Sequence, residues 1–202
     1  MSVSGHVYPE VDQHDWGTTF AERPQLFHNM NHGKSFAVVP PVEGTGLAMV
    51  IPSRGAAFGD IFNDGKVDVV INCIDHSPVL LRNVNADHNH WVGIQLIGGP
   101  KSPRDAVGAT IYLTAGGIRQ RADVMSGGSF ESSNDQRLHF GLGDATAVDG
   151  GEIHWNDGAV ERVNLPVVDR FFMIEEGKGV VPSVYDAIAK GASPARQPMG
   201  GK

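Results

Sequence analysis

Cysteine is almost absent from this sequence of 202 residues, in which only Cys73 is present. A single cysteine cannot form an intrachain disulfide, so cysteine usage does not fix the compartment. No apolar run approaches the roughly 20 residues that span a bilayer, and we therefore expect no transmembrane segment. The first residues also lack a charged segment followed by an apolar one, so no signal peptide is visible. Two explanations compete: a cytoplasmic protein, or a chain whose natural start lies upstream of Met1.

Positive charge is also in short supply. The sequence has 16 Lys and Arg against 23 Asp and Glu, which gives a formal net charge of -7. An acidic surface argues against a nucleic-acid partner and suits divalent cations, although solubility alone would explain it equally well.

Apolar residues alternate with a period of two, and turn residues interrupt the pattern about every ten residues. Two connections, "TAGGIR" and "WNDGAV", predict β-hairpins, because Gly and Asn accept the positive φ of primed turns. The sequence therefore predicts an all-β fold. Its candidate strands are Leu47–Ile51, Val67–Asn72, Pro78–Asn83, His90–Gly98, Gly108–Ala115, Ile118–Met125, Arg137–Gly143, Gly151–Trp155, Val160–Pro166 and Arg170–Glu176.

A polar stretch without strand pattern, Asn83–Asn89, marks a predicted domain boundary. We expect one domain over residues 1–85 and a second over residues 86–176. Residues 177–202 end in "GASPARQPMGGK", which is rich in Gly, Pro, Ala and Ser and predicts a disordered tail.

One candidate site lies in "GDIFNDGKVDVVIN". Asp60, Asp64 and Asp68 occupy positions 1, 5 and 9 of a loop that turns at Gly65, and Lys66 at position 7 offers its backbone carbonyl. Calcium prefers oxygen ligands that alternate in this way along an Asp-rich loop. Phe62 stands at position 3, where a ligand is expected, so we expect weakened Ca²⁺ binding with a water in that place. The alternative is a turn in which the aspartates accept backbone N–H groups without a metal.

The stretch that contains this loop, Arg54–Asn83, resembles an FG-GAP or VCBS repeat, and Arg23–Leu47 resembles the front half of the same repeat. Downstream, His90–Val163 resembles an ASPIC/UnbV domain through "HW", "RDAVGA", "SGGSF", "LHFGLG" and "IHWNDG". This pairing is similar to that of the cartilage acidic protein family. It implies that residues 1–85 are the last blade of a β-propeller and that residues 86–176 form a β-sandwich-like ASPIC/UnbV domain.

The resemblance also implies a function. It points to a non-catalytic, calcium-binding adhesion or interaction module of a secreted or cell-surface protein, with a protein or carbohydrate ligand that it does not identify. Only one loop of this type is present, so we expect a C-terminal piece of a longer protein with other propeller blades upstream. The alternative is an accessory protein of natural-product biosynthesis, of the enediyne type, that binds a small molecule.

Two further groups of residues raise other chemistries. His88 and His90 in "DHNHW" suggest zinc, but no second pair at zinc spacing is near, and a polar loop that enters a strand explains them better. The loop "SGGSFESSNDQR" holds Ser129 but lacks the elbow motif of a serine hydrolase. Its hydroxyls beside Phe130 instead suggest either a carbohydrate or peptide contact or a plain hairpin loop.

Overall fold

The structure, a computed structural model, describes residues 1–30 and 33–186. Its regular elements are strands, apart from two short 3₁₀ helices at Pro9–Gln13 and Gly46–Ala48, and the prediction of an all-β fold is confirmed. No helix within the described ranges has the length and apolar character that a membrane crossing requires.

The chain divides into two compact units. The first comprises Met1–Gly59, Val67–Asn83 and Gly127–Asn134, and the second comprises Asp60–Lys66, Val84–Ser126 and Asp135–Lys202. Neither unit is therefore continuous in sequence. Residues 60–66 of the candidate loop belong to the second unit and Asp68 belongs to the first. Most of "SGGSFESSNDQR", which we call the serine-rich loop, also belongs to the first unit.

The first unit contains a two-stranded and a three-stranded antiparallel sheet. In the larger sheet the middle strand pairs with both neighbours, and in the smaller sheet the two strands form a hairpin. The strands, in chain order, are β1 (Leu26–Met30), β2 (Ser35–Val39), β3 (Ser53–Gly59), β4 (Asp68–Cys73) and β5 (Val79–Leu81).

The segment Leu47–Ile51 is not the strand that the sequence predicts. Gly46–Ala48 form a 3₁₀ turn, and the strand begins at Ser53 instead. Pro52 separates the two, and because proline has no N–H to donate to a ladder, regular pairing starts after it.

The second unit contains two four-stranded sheets. One has the order β11-β10-β7-β8, and the other has the order β13-β12-β6-β9 with a parallel pair between β6 and β12. The strands are β6 (His90–Ile97), β7 (Thr110–Ala115), β8 (Ile118–Asp123), β9 (Leu138–Gly143), β10 (Gly150–His154), β11 (Val160–Val163), β12 (Arg170–Glu175) and β13 (Gly179–Val181).

Both hairpin predictions in this unit are confirmed. Ala115 pairs with Ile118 across Gly116 and Gly117, whose φ angles are 55° and 76°. His154 pairs with Val160 across the second turn, "WNDGA". The segment predicted as a tail, 177–202, contains strand β13 near its start, and its residues 187–202 lie outside the described residues.

One apolar core joins the two sheets of the second unit. Along β7, Ile111 and Leu113 are fully buried, while the alternate residues Thr110, Tyr112 and Thr114 are only partly buried. The side chains of Ile94, Ile153 and Ile174 from β6, β10 and β12 are in the same buried cluster. Alternation along β7 thus supplies one face to the core and leaves the other to solvent. In β6 and β12 consecutive residues are buried, so both faces of these strands are covered in part.

The first unit has a much smaller core. Its buried cluster consists of Ile51, Ala56 and Ile71, with partly buried neighbours around it. Because Ile71 is the only large residue of this cluster that lies in a central strand, we expect the stability of the first unit to depend on it.

Replacement of Ile71 by alanine tests this dependence. Ile71 is 0% exposed and its strand neighbour Val70 is 38% exposed. We expect Ile71→Ala to lower the free energy of unfolding by about 2–5 kcal/mol, since a buried cavity remains, and Val70→Ala to change it by at most about 1 kcal/mol. Urea denaturation followed by circular dichroism measures both variants. Equal losses of unfolding free energy in the two variants would show that the stability of the first unit does not depend on this buried cluster.

Candidate functional site

Asp60–Lys66, which we call the aspartate loop, is closed by its own first side chain. The carboxylate of Asp60 accepts the backbone N–H of Asp64 on Oδ1 at 3.0 Å and the N–H of Gly65 on Oδ2 at 2.7 Å. Asp64 repeats the pattern on a smaller scale, since its Oδ1 accepts the N–H of Lys66 at 3.2 Å. Aspartate side chains commonly cap turns in this way, so the loop geometry is that of an Asx-type turn.

Asp60 is only 4% exposed. Burial raises the pKa of this carboxyl above its ordinary value, and the N–H groups of Gly65 and Asp64 act in the opposite direction. Hydrogen bonds therefore stabilise the ionised carboxylate of Asp60 at a position where burial disfavours its charge.

The guanidinium of Arg137, the residue just before β9, binds the aspartate loop. Its Nη2 donates to the backbone carbonyl of Asp60 at 2.7 Å, and its Nη1 donates to Oδ1 of Asn63. Nε donates to Asp135 at 2.7 Å, and the side chain is 14% exposed. The fixed fork of arginine lets one side chain bind a loop carbonyl, a loop amide and a carboxylate together.

Two rings lie under the same guanidinium. The Arg137 Cζ is 4.5 Å from the centroid of Phe171 and 5.0 Å from that of Tyr185. Burial raises the pKa of the Tyr185 phenol, and its hydroxyl donates to Gln95 at 2.9 Å. These rings keep the arginine in one orientation through cation–π contact.

Gly65 is fixed by its surroundings as well as by its backbone. Its φ is +83°, which disfavours side chains, and a Cβ at this position would overlap Nε1 of Trp91. The Gly65 carbonyl accepts a hydrogen bond from Nε2 of His139 at 2.7 Å, which assigns the proton to that nitrogen. The Trp91 and His139 rings are stacked, with centroids 5.7 Å apart. The turn of the loop thus packs against the stacked rings of Trp91 and His139.

The predicted metal ligands are divided between the two units. Asp60, Asp64 and Lys66 belong to the second unit, whereas Asp68 belongs to the first, where its Oδ1 accepts the N–H of Asn83 at 2.9 Å. Over residues 1–30 and 33–186, no three His, Cys, Asp or Glu side chains are placed where they could hold a metal ion. The side chain of Phe62 at loop position 3 is largely exposed.

The other candidate residues have structural contacts. His90 Nδ1 is 2.7 Å from Oδ2 of Asp169, whose Oδ1 accepts the N–H of Trp91 at 3.2 Å. In the serine-rich loop, Ser129 forms a bridge with Ser132, and the Ser132 hydroxyl donates to the carbonyl of Ala56 at 2.9 Å. Phe130 in this loop is exposed.

The site predicted from the sequence did not include Arg137, His139 or Trp91. Arg137 and His139 contact loop residues that lie more than 70 positions away in the chain. Local spacing carries no signal for contacts of this range.

One family model matches part of the second unit. Residues 99–181 match the family model described as ASPIC and UnbV, which covers strands β7 to β13. The predicted ASPIC/UnbV domain is thereby confirmed for these residues. No curated protein matches the chain, and the resemblance of the upstream residues to FG-GAP or VCBS repeats stays a prediction.

Replacement of Gly65 by alanine tests the packing of the loop turn. Gly158 is a matched control, because it also follows Asn-Asp, has a φ of +89° and has nothing within 4 Å of its Cβ position. Gly158→Ala should cost about 1–2 kcal/mol for the backbone alone. Gly65→Ala should cost about 1–3 kcal/mol more, since Trp91 must move.

Urea denaturation gives both losses, and tryptophan fluorescence reports displacement of Trp91. Equal losses in the two variants, with unchanged fluorescence, would contradict the contact between Gly65 and Trp91.

Proposed function

We propose that this chain is a non-catalytic interaction module of a secreted or cell-surface protein with FG-GAP or VCBS repeats, and that Ca²⁺ stabilises it. The ASPIC and UnbV match supports a role in interaction. The resemblance of Arg54–Asn83 to FG-GAP or VCBS repeats supports the repeat type and the location. The same resemblance and the chemistry of the aspartate loop support the cation.

The observation that carries the calcium component is the buried carboxylate of Asp60. Each of its oxygens accepts one backbone N–H, and a carboxylate has about four lone-pair sites in all. Capacity for a cation therefore remains on both oxygens. A divalent ion would also offset the burial that raises the pKa of this group.

The remaining ligands would come from Asp64, Asp68 and the Lys66 carbonyl. Because the described side chains form no metal-holding group, binding would require these side chains to rearrange. Phe62 supplies no oxygen, so a water would take position 3. Both features predict weak affinity, in the range of extracellular calcium modules at about 10⁻⁴–10⁻³ M.

The hairpin of β1 and β2 supports a protein partner. Phe27 lies opposite Val38 and Asn29 lies opposite Phe36, so these four residues share one face. The apolar members of that face are exposed, and Phe36 is 63% exposed. A two-stranded hairpin is marginally stable alone in water, and further β-repeats of the same protein would cover this face.

A second candidate function is an accessory role in natural-product biosynthesis. The second unit contains an open cavity of about 500 Å³ with Val167, Phe172 and Val181 in its lining and Arg170 at its side. Asp186 also lines the cavity and forms an ion pair with Arg170. Pockets of this size that combine apolar walls with a few polar groups suit small molecules. Saturable binding of a polyketide-like ligand would favour this candidate over the first.

Calcium should raise the melting temperature of the chain, and a chelator should reverse the effect. At a free concentration about a hundredfold above the dissociation constant, binding adds about 2.7 kcal/mol to the free energy of unfolding, or about 5–10 °C in melting temperature. Differential scanning calorimetry measures the shift.

Asp64→Ala should abolish the calcium response, and Asp157→Ala is its matched control. Both aspartates stand in Asn-Asp-Gly, and Asp157 accepts the N–H of Ala159 at 2.8 Å just as Asp64 accepts that of Lys66. The control should lose similar turn stability but retain the full calcium shift. An identical melting temperature with calcium and with chelator would refute the calcium component.

A further inference from the structure

The outer face of the sheet β11-β10-β7-β8 carries a row of charged and aromatic side chains. Tyr112 lies opposite Arg121 on β8 and opposite Glu152 on β10, and Glu152 lies opposite Arg162 on β11. Residues directly opposed in antiparallel strands share a face. Because Ile111 on β7 is in the core, this row faces away from it.

A shallow depression of about 330 Å³ lies on this face. Its floor includes Gly150, which has no side chain and has nothing within 4 Å of its Cβ position. The missing side chain leaves room for a ligand group between the neighbouring strands. Around the floor stand Tyr112, Thr114, Arg119, Glu152 and Arg162.

Two guanidinium groups border the depression with N–H donors unused. Arg119 Cζ is 4.2 Å from the centroid of Tyr112, and its Nη2 is 3.5 Å from Glu152. Arg162 Nε is 3.7 Å from the same carboxylate, and the side chain is 86% exposed. Both separations exceed an ordinary N–H···O hydrogen bond. Among the described residues, neither guanidinium takes part in a side-chain hydrogen bond; the shortest contact of Glu152 is with His154 at 2.9 Å.

The local charge is opposite in sign to that of the whole chain. Two arginines share one carboxylate at this place, although the formal net charge of the chain is -7. An anionic ligand is therefore attracted here, whereas the net charge of the chain as a whole disfavours its approach.

From this geometry we propose that the depression binds the sulfate or carboxylate group of an acidic saccharide. Arg119 and Arg162 donate to the anionic group above Gly150. Glu152 accepts hydrogen bonds from sugar hydroxyls, and the hydroxyl of Thr114 can donate or accept beside it. A site with both donors and a carboxylate acceptor suits a ligand that carries anionic and hydroxyl groups together.

Each exposed arginine contact is weak, at about 0.2–1 kcal/mol, so a single sugar acid should bind poorly and a polymer with many such groups should bind measurably by avidity. The proposal rests on the role as an interaction module but not on the aspartate loop. Binding should accordingly be the same with calcium and with chelator, so failure of the calcium component and failure of this site give different results.

Biolayer interferometry with immobilised protein at low ionic strength tests the site. The probes are dextran sulfate, polygalacturonate and uncharged dextran of similar length. We expect at least one acidic polymer to bind and dextran not to bind. The double variant Arg119→Gln, Arg162→Gln should weaken binding about tenfold, as the loss of two exposed contacts implies.

The control is Lys101→Gln, Arg104→Gln, which makes the same change in net charge at exposed positions of the same unit. It should weaken binding less than twofold. Equal weakening in both double variants, or binding of neither acidic polymer, would overturn the proposal.

Two competitors separate the sources of the anionic group. Inorganic sulfate at equal anion concentration should compete at least tenfold less well than dextran sulfate, and single-stranded DNA should bind more weakly than the acidic polymer. Competition by inorganic sulfate that matches the polymer would make this a simple oxyanion site. Tighter binding of DNA would assign the face to nucleic acid, and either result would overturn the saccharide ligand.

Discussion

The conformation of the aspartate loop depends on one carboxylate that accepts two backbone N–H groups. Asp60 binds the amides of Asp64 and Gly65, and this holds Gly65 where its carbonyl meets His139. Arg137 can reach the Asp60 carbonyl and Asn63 only while the loop keeps this shape. Without these bonds the carboxylate of Asp60 would be buried without hydrogen-bond partners. An unpaired carboxylate costs far more free energy when it is buried than when it is exposed. Local hydrogen bonds and long-range anchors therefore support each other.

The tripeptide Asn-Asp-Gly occurs twice in positive-φ turns and gives two different structures. In "WNDGAV" it closes a plain hairpin between β10 and β11. In "FNDGKV" it belongs to the aspartate loop. The difference lies four residues before the central aspartate, where the loop has Asp60 and the hairpin has Ile153, which is in the apolar core. Asp60 at that position accepts two backbone N–H groups of the loop, whereas Ile153 offers no side-chain acceptor.

The parts of the fold that could be predicted from the sequence are those determined by residues close together in the chain. Gly116 and Gly117 require positive φ, and Ile111 and Leu113 alternate with polar neighbours, so the hairpins and most strands of the second unit were predicted. Strand β3 was not predicted, because "SRGAAFG" is built of small residues with little β-propensity. The aspartates were found by spacing. Their anchors, Arg137 and His139, were not, since tertiary packing decides such contacts.

The central claim is that the chain orders the aspartate loop by its own hydrogen bonds, without a cation. Amide hydrogen exchange of Asp64 and Gly65, measured by NMR in calcium-free protein, tests it most directly. We expect both amides to be protected well above exposed loop amides, because each donates to the buried Asp60 carboxylate. Exchange at the rate of an unstructured chain without calcium, with protection only after its addition, would contradict the account.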